Sequence, residues 1–356
     1  MLTLLSVRVM SASGTWRILK GATNLSLKSH LFSKLISCRM CSASLSQNRQ
    51  FSSSKGDDGQ TSPSGSENED LVIVEKVQMQ HLITTIGINR PEKRNCVNHA
   101  TALKLEEAIK NFEDDPTSAA AVLYGKGGNF CAGYDLDEVS HAAEAGSIDF
   151  LASDNFNPSN RKGLGPMGPS RRFFKKPVIA AISGYAVAGG LELALMCDIR
   201  IVEDTAVLGV FCRRFGVPLI DGGTVRLPHL IGLSRAMDLI LTGRPVKAKE
   251  AFEIGLCNSI VACGTSLGQG IQYANQLSKF PQECLNKDRM SAYNAVYAAN
   301  NFEDAVKYEM ENGLEVFQSE SIRGATKFVE DDMGKHGSFN MNNLPPKEWN
   351  SKKSKL

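Results

Sequence analysis

Apolar and polar positions alternate with a period of two from Leu71 to Asn89, in a stretch rich in Ile, Val and Thr, and this pattern predicts a pair of strands. The period lengthens after Asn98. Ala102, Leu105, Ile109 and Phe112 fall on one helical face, with Asn98 placed to cap the helix and Asp114-Asp115-Pro116 to end it. Ala119 to Tyr124 is a short apolar strand, and Gly125 to Gly133 a glycine-rich turn. The polar stretch from Glu138 to Lys176, with Pro158, Pro166 and Pro169, reads as one long loop, a length that usually carries function or motion. Val178 to Ile182 is a buried strand, a helix starts at Gly189, and Cys197 to Val202 and Ala206 to Val210 are further strands. Ser234 and Gly243 bracket a helix, and Gly255 stops the next one. From Ser266 onward the apolar spacing is helical. Strand–helix alternation with a helical last third predicts an α/β core carrying an all-helical appendix, without internal repeats of useful period.

Val178 to Met196 has Glu192 as its only charge and the hydropathy of a membrane span, but Gly184, Gly189, Gly190 and the carboxylate argue for a buried strand, a tight turn and a buried helix. No membrane span is expected.

The 356 residues are 42% hydrophobic and 22% charged, which excludes disordered, collagen-like and coiled-coil classes. The formal charge of +2 is unevenly placed. Residues 1–51 hold Arg8, Arg17, Lys20, Lys28, Lys34, Arg39 and Arg49 with no acid, and apolar residues that a helix could gather on one face; the remainder carries −5. That composition reads as a mitochondrial transit peptide. Arg49-Gln50-Phe51-Ser52 resembles a mitochondrial processing site, so a mature chain is expected to start near Ser52, with residues 52–70 as a flexible leader. The final Ser354-Lys355-Leu356, within a tail over residues 341–356, spells a peroxisomal address. The matrix of the mitochondrion is the expected location, with the peroxisome as the alternative. The acidic balance of the mature chain weighs against a nucleic-acid partner.

Nine cysteines lack repeated spacing; Cys38 and Cys41 form a CxxC inside the expected transit peptide, read as coincidence. No metal-ligand spacing is present, and neither His99 nor His141 has a partner for one.

Chemistry concentrates in Ser183-Gly184-Tyr185-Ala186-Val187-Ala188-Gly189-Gly190-Leu191-Glu192. Glycines after a strand let a ligand approach the backbone, and the N–H groups opening a helix carry the positive end of its dipole, so they can hold a developing oxyanion. Glu192, amid Leu191, Leu193, Ala194 and Leu195, stands beside them. This segment holds no GxGxxG, GxxxxGK[ST] or GxSxG, which leaves acyl chemistry without a covalent serine.

These residues, with RPEKRNCVNHATALKLEEA from Arg90, GGNFCAGYDL from Gly127, KKPVIAAISGYAVAGGLELALMCDIRI from Lys175 and GVPLIDGGTVRLPHLIGLSRAMDLILTGRPVKAKEAFEIGLCNSIV from Gly216, resemble the enoyl-CoA hydratase/isomerase (crotonase) superfamily from about Val74 to Phe339. The resemblance implies an α/β fold made of a crotonase-type spiral of β-β-α repeats over residues 71–262. It also implies a C-terminal all-helical trimerisation region over residues 263–340, and self-assembly into trimers or hexamers. It implies an acyl-CoA thioester substrate, with coenzyme A part of the substrate and no separate cofactor. By residue match, the oxyanion hole falls on the N–H groups of Tyr134 and Gly189, and backbone near Cys96, Ala132 and Leu136 lines the adenine and pantetheine path. Glu192 matches the first of two hydratase glutamates. The second falls on Cys212, a thiol mostly neutral at pH 7 and a poor acid/base, read as either a packed residue or a substrate contact. Asp221 is then either a catalytic partner of Glu192 or the cap of the helix beginning near Gly222. Arg213 and Arg214 are expected in surface ion pairs, with the CoA phosphates as the alternative contact, and Asp135 and Asp137 as loop-capping residues. The first reading is an enoyl-CoA hydratase. An enoyl- or dienoyl-CoA isomerase or acyl-CoA hydrolase is the near alternative, and a CoA-binding scaffold of little turnover the distant one.

Overall fold

The computed structural model describes residues 6–10, 16–20, 70–144 and 164–330 of the chain. Two units are distinguished, residues 1–65 and residues 66–356. In the first, Ser6–Met10 (β1) and Trp16–Lys20 (β2) form an antiparallel pair instead of the helical face expected of residues 1–51; Val7 and Val9 flank Arg8, a period of two. The CxxC, the processing site and the SKL tail lie outside the described residues.

In the second unit, Val72–Gln78 (β3) and Leu82–Ile88 (β4) pair antiparallel as the alternation predicts. Helix His99–Asp114 (α1) follows, its Asn98 side chain accepting the Thr101 N–H. Ser118–Gly125 (β5), Val178–Ile182 (β6), Ile199–Glu203 (β8) and Ser259–Val261 (β11) complete a six-stranded sheet of order β11-β8-β6-β5-β4-β3, parallel except at its β3–β4 edge.

A second stack of short pairings runs alongside. Tyr185–Val187 (β7) pairs parallel with Val207–Gly209 (β9), and β9 pairs antiparallel with Val246–Lys247 (β10). Single bridges continue the stack from Ala186 to Cys131 and from Tyr134 to Val97. Each turn of chain thus gives one strand to the large sheet and then one segment to the small stack: β4 then Val97, β5 then residues 131–134, β6 then β7, β8 then β9. That progression is the expected β-β-α spiral.

Strand alternation divides the core. Val122, Ile179, Ala181 and Ile201 face Ser266–Leu277 (α7), where Gly270 comes so near the sheet that an added Cβ would lie 2.9 Å from Val122. Leu123, Ala180 and Ile182 belong to the opposite layer with α1 and the eight-residue helix Gly189–Met196 (α3), all of whose residues are buried. Helices Gly223–Ile231 (α4), Leu233–Thr242 (α5) and Ala248–Glu253 (α6) follow β9. Helix α5 starts at Leu233 behind Gly232, one residue ahead of the expected Ser234; Gly243, at φ +56°, ends it as expected. The C-terminal part is helical: α7, Gln282–Tyr297 (α8), Phe302–Val316 (α9) and Ile322–Glu330 (α10). Arg289 and Tyr293 of α8 both reach the Asp198 carboxylate, at 2.6 and 2.7 Å, fixing that helix to the loop after α3.

The polar stretch from Glu138 is not one continuous loop. Leu136–Glu144 (α2) opens it, and residues 169–171 form a single 3-10 turn near its end. Asp135 accepts the Asp137 N–H and pairs with Arg90, so it caps α2 as expected, while Asp137 pairs with Lys93. Among the described residues no helix is long and apolar enough to cross a membrane.

Candidate active site

The chain enters α3 through Ala188, whose φ of +54° is a conformation L residues rarely adopt. Ala188 is held there from both sides. Its N–H donates to Gly209 O, and its carbonyl accepts Leu191 N and Glu192 N. Gly189 is therefore the first helical residue, and its N–H is one of the donors that a helix start leaves without an intrahelical acceptor.

The segment 131–135 is laid beside it by two bridges. Cys131 N donates to Tyr185 O and Val187 N to Cys131 O, while Val97 N donates to Gly133 O and Asp135 N to Val97 O. Val97 thus bonds the residues on either side of Tyr134, so the main-chain N–H of Tyr134 itself is turned away from Val97. Only a glycine fits at 133. Its φ is +106°, and an added Cβ would lie 2.9 Å from Ala188 Cβ and 3.2 Å from Gly189 N. Below the pair, Met167 closes the floor; a Cβ at Gly189 would meet its sulfur at 2.6 Å.

A cleft of about 1170 Å³ opens over this point, and Cys96, Ala132, Tyr134, Leu136, Gly189, Glu192, Cys212 and Asp221, all singled out from sequence, line it together. Glu192 is 3% exposed. Its Oε1 accepts two main-chain N–H groups, from Asp221 at 2.9 Å and Gly223 at 2.7 Å. An oxygen receiving two donors carries no proton toward them, so any proton on this carboxyl sits on Oε2. Burial, and next the charge of Asp221, push its pKa up against those two bonds.

Asp221, also 3% exposed, is not the helix cap: α4 is entered through Gly222 at φ +93°, with no side-chain cap. The carboxylate turns the other way, and its Oδ1 accepts Met167 N at 3.0 Å and the Ser170 hydroxyl. Burial raises its pKa too, opposed by those two donors and by Arg171 and Arg226. Two adjoining buried carboxyls do not both ionise readily, so the pair favours a state with one shared proton. Buried Arg226, which donates to Asp221 O at 3.1 Å, balances the remaining charge.

Cys212 sits in the single 3-10 turn Phe211–Phe215, buried and lining the cleft. Burial and then the Glu192 charge raise its pKa, as burial does for Cys96, so both thiols stay neutral at pH 7. Arg213 and Arg214 form no ion pairs among the described residues, contrary to expectation. They bond the Ile240 and Gly243 carbonyls at the end of α5, where exposed carbonyls attract cations, and Arg214 stacks 3.6 Å over Phe211. His99 and His141 lie outside the cleft; no cluster of metal-ligating side chains occurs among the described residues.

Sequence reading missed Met167, Ser170 and Arg226. Gly165-Pro166-Met167-Gly168 carried a turn signal, but nothing local placed Ser170 against a carboxylate 51 residues away.

The profile of the enoyl-CoA hydratase/isomerase family matches residues 78–337. A probable enoyl-CoA hydratase, echA8 of Mycobacterium bovis, is 35% identical over 212 residues, 59% of this chain and 76% of the relative. A short-chain-enoyl-CoA hydratase of Clostridium acetobutylicum is 30% identical over 263 residues, covering 73% and 94%. The crystal structure of enoyl-CoA hydratase EchA1 from Mycobacterium marinum superposes with a TM-score of 0.65 at 28% identity, over 74% of this chain and 97% of that one. With the spiral, the paired amides and the buried glutamate in place, the chain belongs to the enoyl-CoA hydratase/isomerase (crotonase) family.

Proposed function

We propose that the protein is an acyl-CoA thioester enzyme of the hydratase type, adding water to a 2-enoyl-CoA. The observation that carries this reading is the double anchoring of Glu192 Oε1 in the cleft that also holds the Tyr134 and Gly189 amides. Those amides would accept the negative charge that reaches the thioester oxygen as the β carbon is attacked, a contribution of about 3 kcal/mol for each such donor in other enzymes. Preorganised donors make the β carbon electrophilic without a nucleophilic side chain.

Hydration needs one group to take a proton from water and one to give a proton to the α carbon. With a neutral thiol at Cys212, that work falls to Glu192 and Asp221, whose shared proton supplies one acid and one base. Cys212 then shapes the acyl pocket and moves no proton. Coenzyme A arrives as part of the substrate along Cys96, Ala132 and Leu136, and no further cofactor takes part.

The same reading places the spiral at residues 71–262 and the helical region at 263–340, the latter joining copies into trimers or hexamers. It also has residues 1–51 directing the chain to the mitochondrial matrix, with the SKL end as a peroxisomal alternative. N-terminal sequencing of protein recovered from cells should find a start near Ser52; an intact Met1 in peroxisomes would reverse that assignment.

The enzymatic test is a panel of enoyl-CoA, dienoyl-CoA and 3-hydroxyacyl-CoA thioesters assayed with wild type and Glu192→Gln. Water addition lost in the variant with binding retained supports a hydratase. Double-bond migration alone makes the protein an isomerase, hydrolysis a thioesterase, and binding with no turnover a scaffold.

A further inference from the structure

We propose that Ser170 is the positioning residue of the second carboxylate: with the Met167 amide it fixes Oδ1 of Asp221, holding Asp221 as the anionic partner and leaving the proton on Glu192. The inference rests on the reading of Glu192 and Asp221 as an acid/base pair and assigns each its part.

The turn that delivers Ser170 is tightly built. Gly165 and Gly168 exchange two main-chain hydrogen bonds, each of 2.8 Å, and Gly168 takes φ +80° with its Cα against the Ala102 carbonyl of α1. Inside this turn, Met167 sends its N–H to Asp221 and its side chain over Gly189. Ser170 is fully buried and opens the neighbouring 3-10 turn behind Pro169. The packing around Oδ1 leaves no room for water on that side: a Cβ on Gly165 would lie 2.2 Å from Oδ1 and 2.1 Å from Ser170 Oγ. Oδ1 therefore depends on these two donors, and a proton on Asp221 has only Oδ2 to occupy.

Hydrogen bonds to an anion are stronger than those to a neutral acid, so two fixed donors favour ionised Asp221 over its protonated form. Arg226 from α4 and Arg171 beside Ser170 favour the anion on Asp221; Glu192 from α3 opposes it, and Tyr134 and Cys131 face it as neutral groups. Arg226 favours the anion on Glu192 as well, and Cys212 faces Glu192 as a neutral thiol. The Ser170 hydroxyl is removable without changing the charge of the site, which makes it the adjustable setting of where the proton rests.

The test is a carboxyl carbon NMR titration of the full chain carrying labelled Asp and Glu, with the Asp221 resonance assigned through Asp221→Asn. In Ser170→Ala the Asp221 titration is expected to move up by about one pH unit, the size of one charge-assisted hydrogen bond. Ser170→Thr, which keeps the hydroxyl, should restore the wild-type value, and Ser170→Cys, a weak donor of similar volume, should fall between. Where hydration is observed, the acidic limb of kcat should shift by the same amount with KM little changed. An Asp221 titration unmoved in folded Ser170→Ala and Ser170→Cys would overturn the assignment. The titration reads Ser170 whether or not any thioester is turned over, so failure of the hydratase reading remains a separate result.

Discussion

Glu192 accepts through its side chain the main-chain N–H of Asp221, at 2.9 Å, so one carboxyl of the cleft is held by the backbone of the residue that carries the other. Neither can shift without the other. The bond ties α3 to the entry of α4, and because Gly223 N joins it at 2.7 Å, the orientation of Glu192 is set before substrate arrives.

Glu192→Gln should keep both anchoring bonds, since an amide oxygen can replace Oε1, while removing the exchangeable carboxyl proton. Turnover is expected to fall by about 10²–10⁴-fold, the usual contribution of one general acid/base, with thioester affinity within a few-fold of wild type. Steady-state hydration and a binding titration with a saturated acyl-CoA check the two halves.

The same substitution should alter stability with a defined sign. The folded-state pKa of Glu192 is raised, so its contribution to stability is fully present below the unfolded value near 4.5 and is lost as pH rises through the folded one. Glu192→Gln is therefore expected to melt higher than wild type in mildly alkaline buffer, by about 2–4 °C for each kcal/mol relieved, with the difference closing toward acid pH. Thermal denaturation at several pH values measures it.

Asp221→Asn and Cys212→Ser separate the two candidates for the second catalytic position. Loss of the Asp221 charge should cost about 10²-fold or more in turnover and move the alkaline limb of the pH profile downward, because that charge helps hold Glu192 protonated. Cys212→Ser should stay within about tenfold of wild type, as expected of a residue that only packs against substrate. The reverse ranking would return the acid/base role to the thiol.

A stability prediction concerns the rim of the site. Asn95, fully buried with φ +58°, receives Arg90 N on its Oδ1 and donates from Nδ2 to the Lys126 and Asn129 carbonyls, holding the glycine-rich turn against the loop that leads to α1. Asn95→Ala leaves three half-buried main-chain groups without their Asn95 partner and is expected to cost about 1–3 kcal/mol, read from urea denaturation.

How much of this was legible in the chain follows from the range of each interaction. The β3–β4 pair, the Asn98 cap and the Gly243 stop were readable because strand period and cap chemistry act over a few residues. The spiral came from resemblance to a family and from no local pattern. Residues 169–171 and Arg213–Arg214 were misjudged because their partners lie far along the chain: Ser170 meets Asp221, and the two arginines meet carbonyls 27 and 29 residues away. Asp221, placed before Gly222, left cap and catalytic partner both open, and the bond from the turn at 165–168, packed against it in space, separates them.

The most direct measurement is a crystal structure with a bound, unreactive acyl-CoA thioester. The expected result is a thioester oxygen within about 2.7–3.1 Å of both Tyr134 N and Gly189 N, with Glu192 Oε2 facing the α and β carbons. A thioester oxygen bound elsewhere, or a Glu192 carboxyl released from Asp221 N and Gly223 N into solvent, would contradict it.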